Sequence, residues 1–177
     1  MRKFVALLRA VNVGGTGKAR STDLKSAAES IGFRAVQPLL QTGNLIFEAE
    51  GHPAILEARL EGALLARLSL RTEVMVRDAA EWDTIVENNP FAAAAVSDPG
   101  HLLVMVMKEE PLADGLAALK SHPGPERIEA RGRELYIVYP DGVGRSKLNK
   151  DSAWKKLGSR GTGRNWNTVL KLAAALV

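Results

Sequence analysis

The chain has 177 residues, a net charge of +4, 46% hydrophobic and 25% charged residues, as in a globular protein of one domain or two small lobes. It has no cysteine, which excludes disulfides, thiolate metal sites and cysteine nucleophiles. No signal peptide follows Met1 and no apolar run approaches the ~20 residues of a membrane span, so we expect a soluble cytoplasmic protein without membrane contact.

The first part of the chain predicts the order strand, helix, strand, strand, helix, strand. An apolar strand at residues 3–9 is followed by a helix whose Leu24, Ala27, Ala28 and Ile31 share one face. The next predicted elements are strands at 34–40 and 45–48, a helix from Pro53, and a strand at 72–77. This is the ferredoxin-like βαββαβ order, which predicts an α+β lobe with an antiparallel sheet and the first strand at its centre.

The second part predicts a related α+β lobe with C-terminal helices and without an obvious final strand. Its predicted elements are a connecting helix at 79–88, a loop at 92–100, a strand at 102–107, a helix at 111–120, a hairpin at 127–131 and 134–139, and a terminal helix at 164–176. We therefore predict a ferredoxin-like lobe at 1–78, a connection at 79–100 and a second lobe at 101–177.

A glycine-rich polar turn follows the first strand and has the composition of an anion-binding loop. Its candidate ligand-binding residues are Arg9, Asn12, Gly14, Gly15 and Lys18. Glycines let the backbone approach a ligand, and exposed N–H groups beside cations suit an anion. The turn is not a P-loop, because the first glycine and the hydroxyl residue after the lysine are both missing. A plain strand-to-helix connection would use the same glycines.

A second polar turn joins the two strands of the predicted hairpin and adds Gln41, Gly43 and Asn44 as candidate ligand-binding residues. The same residues make a good hairpin turn, since asparagine and glycine tolerate left-handed backbone. Because the first and third strands run antiparallel, we expect Asn12 and Asn44 to be neighbours.

The basic residues are concentrated in the C-terminal tail. From residue 141 onward there are eight Lys/Arg and two Asp/Glu, whereas the first 140 residues hold sixteen and eighteen. The tail candidates are Arg145, Lys147, Arg164 and Asn165, and we expect them to converge with the two turns on one concave surface. Such a basic excess attracts phosphates and nucleic acid, although a solvated helical surface has the same composition. Trp166 fits either a base-stacking side chain or, more readily, a core anchor for the last helix.

The remaining polar residues give no sign of a cofactor or a metal. His52, His101 and His122 are isolated in the sequence and lack metal-ligand spacing or a positioned partner for general-base catalysis. Aromatic residues make up only 5% of the chain, which disfavours an RNA-binding sheet of the RRM type. We expect no cofactor and assign no catalytic residue.

Five motifs, taken together, resemble the bacterial family called domain of unknown function 1697. They are residues 7–15, Gln41-Thr-Gly-Asn44, Asn89-Pro-Phe91, Gly144-Arg-Ser-Lys147 and Arg164-Asn-Trp-Asn-Thr-Val169. The resemblance covers essentially the whole chain and implies an α+β protein with ferredoxin-like subdomains. The family's activity is uncharacterised, so the resemblance brings no catalytic residues.

Three functions are consistent with these observations. The one we predict is binding of a phosphorylated small molecule or nucleic acid through the polar turns and the basic tail, which requires salt-sensitive binding. The alternatives are an enzyme acting on an acidic or phosphorylated substrate, with Arg9, Lys18 and Arg145 as clamps, and an interaction protein whose polar motifs hold two lobes together. The sequence leaves the reaction, the ligand and the oligomeric state open.

Overall fold

The computed structural model describes residues 1–9, 19–40 and 43–177 of the chain. These residues form two compact units, the first lobe (Met1–Thr84 with Leu172–Val177) and the second lobe (Ile85–Lys171). Each lobe contains a four-stranded antiparallel sheet, so the chain is an α+β protein as predicted. The sequence-based limits at residues 78 and 101 stay a prediction.

The first lobe has the predicted ferredoxin-like order. Its elements are β1 (Arg2–Leu8), α1 (Ser21–Ser30), β2 (Arg34–Pro38), β3 (Asn44–Ala49), α2 (Pro53–Leu68) and β4 (Val74–Asp78). The strand order across the sheet is β2-β3-β1-β4, and β1 pairs antiparallel with both β3 and β4. The central position predicted for β1 is therefore confirmed.

One face of this sheet packs against both helices. Alternate residues of the strands join the apolar stripes of α1 and α2 in a single core, in which Leu24 and Leu56 are buried. The Phe33 and Phe47 rings stack with centroids 4.3 Å apart, and Phe4 lies 5.6 Å from Phe47. The apolar residues that recur every two positions along the strands and about every 3.6 positions along the helices thus pack together in one layer.

Two glutamates of α2 close the outer edge of β4. The Val74 N–H donates to Glu61 Oε1 at 2.7 Å, and the Val76 N–H donates to Glu57 Oε1 at 2.8 Å. An edge strand otherwise presents unpaired N–H groups to other chains, and this pair of carboxylates satisfies two of them.

The second lobe repeats the topology of the first. Its sheet consists of β5 (Leu102–Met107), β6 (Arg127–Arg131), β7 (Glu134–Val138) and β8 (Gly161–Asn165) in the order β6-β7-β5-β8. The helices along this part of the chain are α3 (Ala79–Glu87), α4 (Ala92–Ser97), α5 (Ala113–Lys120) and α6 (Trp166–Leu176). Where the first lobe has α2, the second has three short 3-10 helices, at Val143–Arg145, Leu148–Lys150 and Ser152–Leu157.

Two sequence-based predictions for this part of the chain were wrong. The second lobe does have a final strand, because β8 pairs with β5 over residues placed partly in the terminal helix, which begins only at Trp166. The segment predicted as a loop at 92–100 contains α4, whose alanines have high helix propensity.

The core of the second lobe lies between the sheet and the segment that precedes β8. Leu135 and Ile137 of β7 pack with Leu119 of α5 and with Leu148 and Leu157 of the 3-10 segment. Within the described ranges, no helix has both the length and the apolar content that a membrane span requires.

Candidate functional site

Arg9, at the end of β1, is already engaged by the strand beside it. Its Nη1 lies 3.1 Å from Glu73 Oε2, and its backbone N–H donates to Glu73 O at 2.9 Å. The Thr72 hydroxyl donates to Arg9 O at 2.7 Å. The Arg9 side chain is nearly half exposed, and Glu73 balances part of its charge.

Asn44 is buried and stabilises the hairpin between β2 and β3. Its Nδ2 donates to Leu39 O at 3.0 Å, and the Leu39 N–H donates back to Asn44 O at 3.0 Å. Gly43 has a φ of +74°, in the left-handed region, and its carbonyl accepts from the Leu8 N–H at 2.8 Å. The hairpin therefore lies at the C-terminal end of β1 as predicted, and the Asn44 amide supports backbone structure there.

Five predicted ligand-binding residues lie outside the described residues: Asn12, Gly14, Gly15, Lys18 and Gln41. The convergence of the two turns with the basic tail on one surface therefore stays a prediction.

Arg164 is buried within the second lobe. Its Nη1 donates to Thr162 Oγ1 at 2.7 Å and to Gly163 O at 2.9 Å. Burial lowers the pKa of Arg164 to about 10, which still leaves the guanidinium charged at neutral pH. The bonds to Thr162 and Gly163 join neighbouring residues of β8, so Arg164 supports the strand in which it lies.

Asn165 and Trp166 begin α6. Asn165 Oδ1 accepts from the Thr168 N–H at 3.0 Å, which is the geometry of an N-cap. Trp166 is 5% exposed, as expected of a core anchor, and is therefore not presented for stacking on a base.

The structure places a group of cations on the segment that replaces a second helix. We call residues 143–157 the basic segment. Its exposed cations are Arg145, Lys147, Lys150, Lys155 and Lys156. Among the residues that the structure describes, none of these five forms an ion pair, and the segment contains a single carboxylate, Asp151.

The opposite side of the basic segment is fixed to the lobe by apolar contacts. Leu148, Ala153 and Leu157 are buried in the core described above. The Trp154 Nε1–H donates to Leu148 O at 2.8 Å, which ties two of the 3-10 helices together. The cations are thus displayed on an ordered backbone.

Polar contacts hold the same segment to the loop between α5 and β6. His122 Nδ1 lies 2.7 Å from Asp151 Oδ2, and His122 Nε2 lies 3.9 Å from Glu126 Oε2. The Ser146 hydroxyl donates to Glu126 Oε1 and accepts from the Leu148 N–H at 3.1 Å. We call His122, Glu126 and Asp151 the His122 clamp.

The surroundings of the clamp shift two pKa values. The Ala153 N–H and then the His122 side chain lower the pKa of Asp151, with smaller help from the charges of His122 and Lys156. Burial, followed by the nearby Glu126 charge, raises the pKa of Tyr139 to about 12. Asp151 is therefore ionised and Tyr139 protonated at neutral pH.

The sequence-based assessment of His122 as an isolated residue was wrong. Its partner Asp151 is 29 positions away, a separation that carries no local signal. The other two histidines have local roles: His52 Nδ1 accepts from the Ala54 N–H at the start of α2, and exposed His101 pairs with Asp98 at 2.8 Å. Across the described ranges, no group of three or more His, Asp or Glu side chains is arranged to hold a metal ion.

The two sheets have the same strand order, and β5 occupies in the second sheet the central position that β1 has in the first. The chain is therefore a two-lobed α+β protein with ferredoxin-like lobes. The chain belongs to the family described as Protein of unknown function (DUF1697), whose model matches residues 1–136. That description assigns no activity, and no curated protein matches the chain significantly.

A solved structure shares this fold. The conserved bacterial protein SP0830 from Streptococcus pneumoniae superimposes with a TM-score of 0.77 at 19% identity, covering 99% of this chain and 98% of that one. At this identity the likeness shows the fold alone. The putative chlorite dismutase TA0507 gives a TM-score of 0.26 at 10% identity over 100% of both chains, which is too low for any structural argument.

Proposed function

We propose that the protein binds phosphate-bearing polyanions through the basic segment, and that the backbone of a nucleic acid is the ligand. The observation that carries this proposal is the set of five exposed cations, without ion pairs in the described part of the chain, on one ordered segment. Lys and Arg in such a group bind phosphates and release condensed counterions.

The number and spread of the cations favour a polymer over a small phosphorylated molecule. A phosphate monoester carries at most about two negative charges, whereas five cations along a segment suit successive phosphates of a polymer. The hydrogen bond from Trp154 to Leu148 fixes the ring of the segment's tryptophan against the protein. We therefore expect backbone contacts without base stacking, and little preference among sequences.

Three of the predicted ligand-binding residues form hydrogen bonds that stabilise the fold, so we do not include them in the binding surface. Arg164, Asn165 and Asn44 make hydrogen bonds within their own lobes. Of the predicted ligand-binding residues that the structure describes, Arg9, Arg145 and Lys147 are exposed, and Arg9 is paired with Glu73. Arg145 and Lys147 belong to the basic segment.

Fluorescence anisotropy of a labelled oligonucleotide at several salt concentrations tests the proposal. The affinity of the wild-type protein should fall as salt rises, and the double variant Arg145→Ala/Lys147→Ala should bind more weakly. Each lost phosphate contact should reduce the slope of log K against log salt by about one unit for duplex DNA. Unlabelled ATP as a competitor distinguishes a nucleotide site from a polyanion surface.

The matched control is Arg34→Ala/Arg71→Ala, which removes two exposed cations of the first lobe and changes the net charge equally. The control should keep the wild-type salt slope. Absence of binding at low salt, or equal losses in the two double variants, would reject the basic segment as the binding surface. Displacement by ATP at concentrations matched in phosphate would favour a small phosphorylated ligand.

A further inference from the structure

His122 has a carboxylate beside each of its ring nitrogens. Asp151 lies on the Nδ1 side at 2.7 Å, and Glu126 lies on the Nε2 side at 3.9 Å. The imidazole is largely buried, with 12% of the side chain exposed, so water screens these interactions only partly.

This arrangement matches the protonated form of histidine. A neutral imidazole has one N–H donor and one acceptor nitrogen, whereas the imidazolium has two donors. The Nδ1–H of His122 donates to Asp151, so the proton that is lost on neutralisation is the one on Nε2. Its loss leaves a lone pair that faces the Glu126 carboxylate. Within the described ranges, Glu126 Oε2 is buried and accepts no hydrogen bond, so it gains no donor in compensation.

The clamp fixes the basic segment at two points. Asp151 belongs to the segment and accepts the Ala153 N–H on Oδ1 at 2.8 Å. Ser146, also in the segment, donates to Glu126 and accepts the Leu148 N–H. Both carboxylates that face His122 are therefore linked by hydrogen bonds to the backbone of the basic segment: Asp151 directly, and Glu126 through the Ser146 hydroxyl.

We propose that the proton on His122 controls how firmly the basic segment is held, so that binding of a nucleic-acid backbone strengthens as the pH falls. The coupling to binding rests on the proposed function above, whereas the change in the segment itself does not. A segment held in one conformation binds with a smaller loss of conformational entropy.

Other titratable groups lie near the imidazole and its two partners. Asp151, with its lowered pKa, stays ionised above about pH 5, and Tyr139, with its raised pKa, stays protonated to alkaline pH. Lys156 lies near Asp151, and its charge helps to lower the pKa of that carboxyl. Among the residues described, Glu126 is the other carboxylate beside the ring, and a variant that removes its charge separates its contribution from that of His122.

Amide hydrogen exchange measured between about pH 5 and 8 tests the clamp without any ligand. The reporters are the Ala153 and Leu148 amides, which donate to Asp151 and Ser146, and the Ile46 amide of β3 is the reference for the rest of the chain. After correction for intrinsic exchange, protection of the two reporters should fall about tenfold as the pH rises across this range, because the donor in the His122–Asp151 hydrogen bond loses its charge. The reference should stay constant.

Two variants make the test specific. His122→Gln cannot be protonated, so protection of the Ala153 and Leu148 amides should be low and independent of pH. Glu126→Gln keeps the shape of the side chain and should reduce the pH dependence. Protection that is independent of pH in the wild-type protein, or that changes equally in the wild-type and His122→Gln proteins, overturns the proposal.

Anisotropy with the labelled oligonucleotide over the same pH range then separates the two proposals. A pH-dependent segment in a protein that binds no oligonucleotide supports the clamp and rejects the proposed function. Binding whose pH dependence is the same in the wild-type and His122→Gln proteins rejects the regulatory role and leaves the proposed function intact.

Discussion

Several of the polar residues that mark this sequence perform the same task, which is to satisfy backbone groups at the ends of strands and helices. Asn44 bonds across the β2–β3 hairpin, Asn165 caps α6, and Asp151 accepts the Ala153 N–H. Short amide and carboxylate side chains suit this task because their oxygens reach nearby backbone N–H groups and an amide N–H reaches a nearby carbonyl.

Replacement of Asn165 tests the importance of this role at the start of α6. Asn165→Ala should lower the free energy of unfolding by about 1 kcal/mol, since an unpaired N–H remains at the helix terminus. Asn165→Asp should retain stability because its carboxylate accepts the same bond and favours the helix dipole. Denaturant unfolding measures both, with exposed Asn167→Ala as the control. A loss in Asn167→Ala as large as that in Asn165→Ala would contradict the capping role.

Asp151 makes the stability of the second lobe sensitive to acid. Its pKa is lowered in the folded chain, so its contribution is present above the pKa of the unfolded form, 3.8, and is lost as the pH falls through the lower folded value. The thermal midpoint of the wild-type protein should therefore decrease below about pH 4 more steeply than that of Asp151→Asn. The variant amide can still accept the Ala153 N–H but carries no charge. Parallel curves for the two proteins would assign the acid sensitivity to other carboxylates.

At the scale of elements, β8 shows why a strand can escape sequence-based prediction. Its residues include Gly161 and Gly163, which have low strand propensity and argue against a strand. The same glycines are needed by the packing, because a Cβ on Gly161 would lie 2.6 Å from Val106 O and one on Gly163 would lie 2.8 Å from the Leu103 side chain. Pairing with β5 therefore overrides the local preference.

The close contact between α5 and the basic segment leads to a prediction for Gly115. A Cβ on Gly115 would lie 2.1 Å from Lys156 O, which is backbone and cannot move independently. Gly115→Ala should therefore destabilise the protein by about 1–3 kcal/mol, although alanine favours a helix by about 1 kcal/mol. The matched control is Gly62→Ala in α2, where a Cβ has no atom within 4 Å and where we expect stabilisation of about 0.5–1 kcal/mol. Equal stabilisation of both variants would show that α5 does not approach the segment closely.

At the scale of the whole molecule, the two lobes share more than strand order. In each, the penultimate residue of the last strand is a buried arginine, Arg77 or Arg164, which donates to the preceding carbonyl at 3.0 or 2.9 Å. The final residue of the strand, Asp78 or Asn165, then caps the helix that follows. This correspondence involves few identical residues, so the sequence alone showed similarity only in the order of elements.

Sequence patterns were sufficient where local periodicity determined the structure. The stripe of Leu24, Ala27 and Ala28 and the position of Pro53 located the helices of the first lobe, and the order of elements placed β1 at its centre. The candidate site was less predictable. The composition of the tail identified its cations, but the exposure of Arg145 and the burial of Arg164 depend on which residues enter the second sheet.

The order of strands in the second sheet has a consequence for synthesis of the chain. The central strand β5 ends at Met107, yet one of its two neighbours, β8, begins only at Gly161, more than fifty residues later. A ribosome adds about 5–20 residues per second, so one side of β5 exposes unpaired backbone for several seconds in every nascent chain. Apolar strands with an open edge associate with other chains. Newly made protein is therefore most vulnerable to aggregation before β8 is synthesised, whereas the first lobe can already pair β1 with β3 and β4.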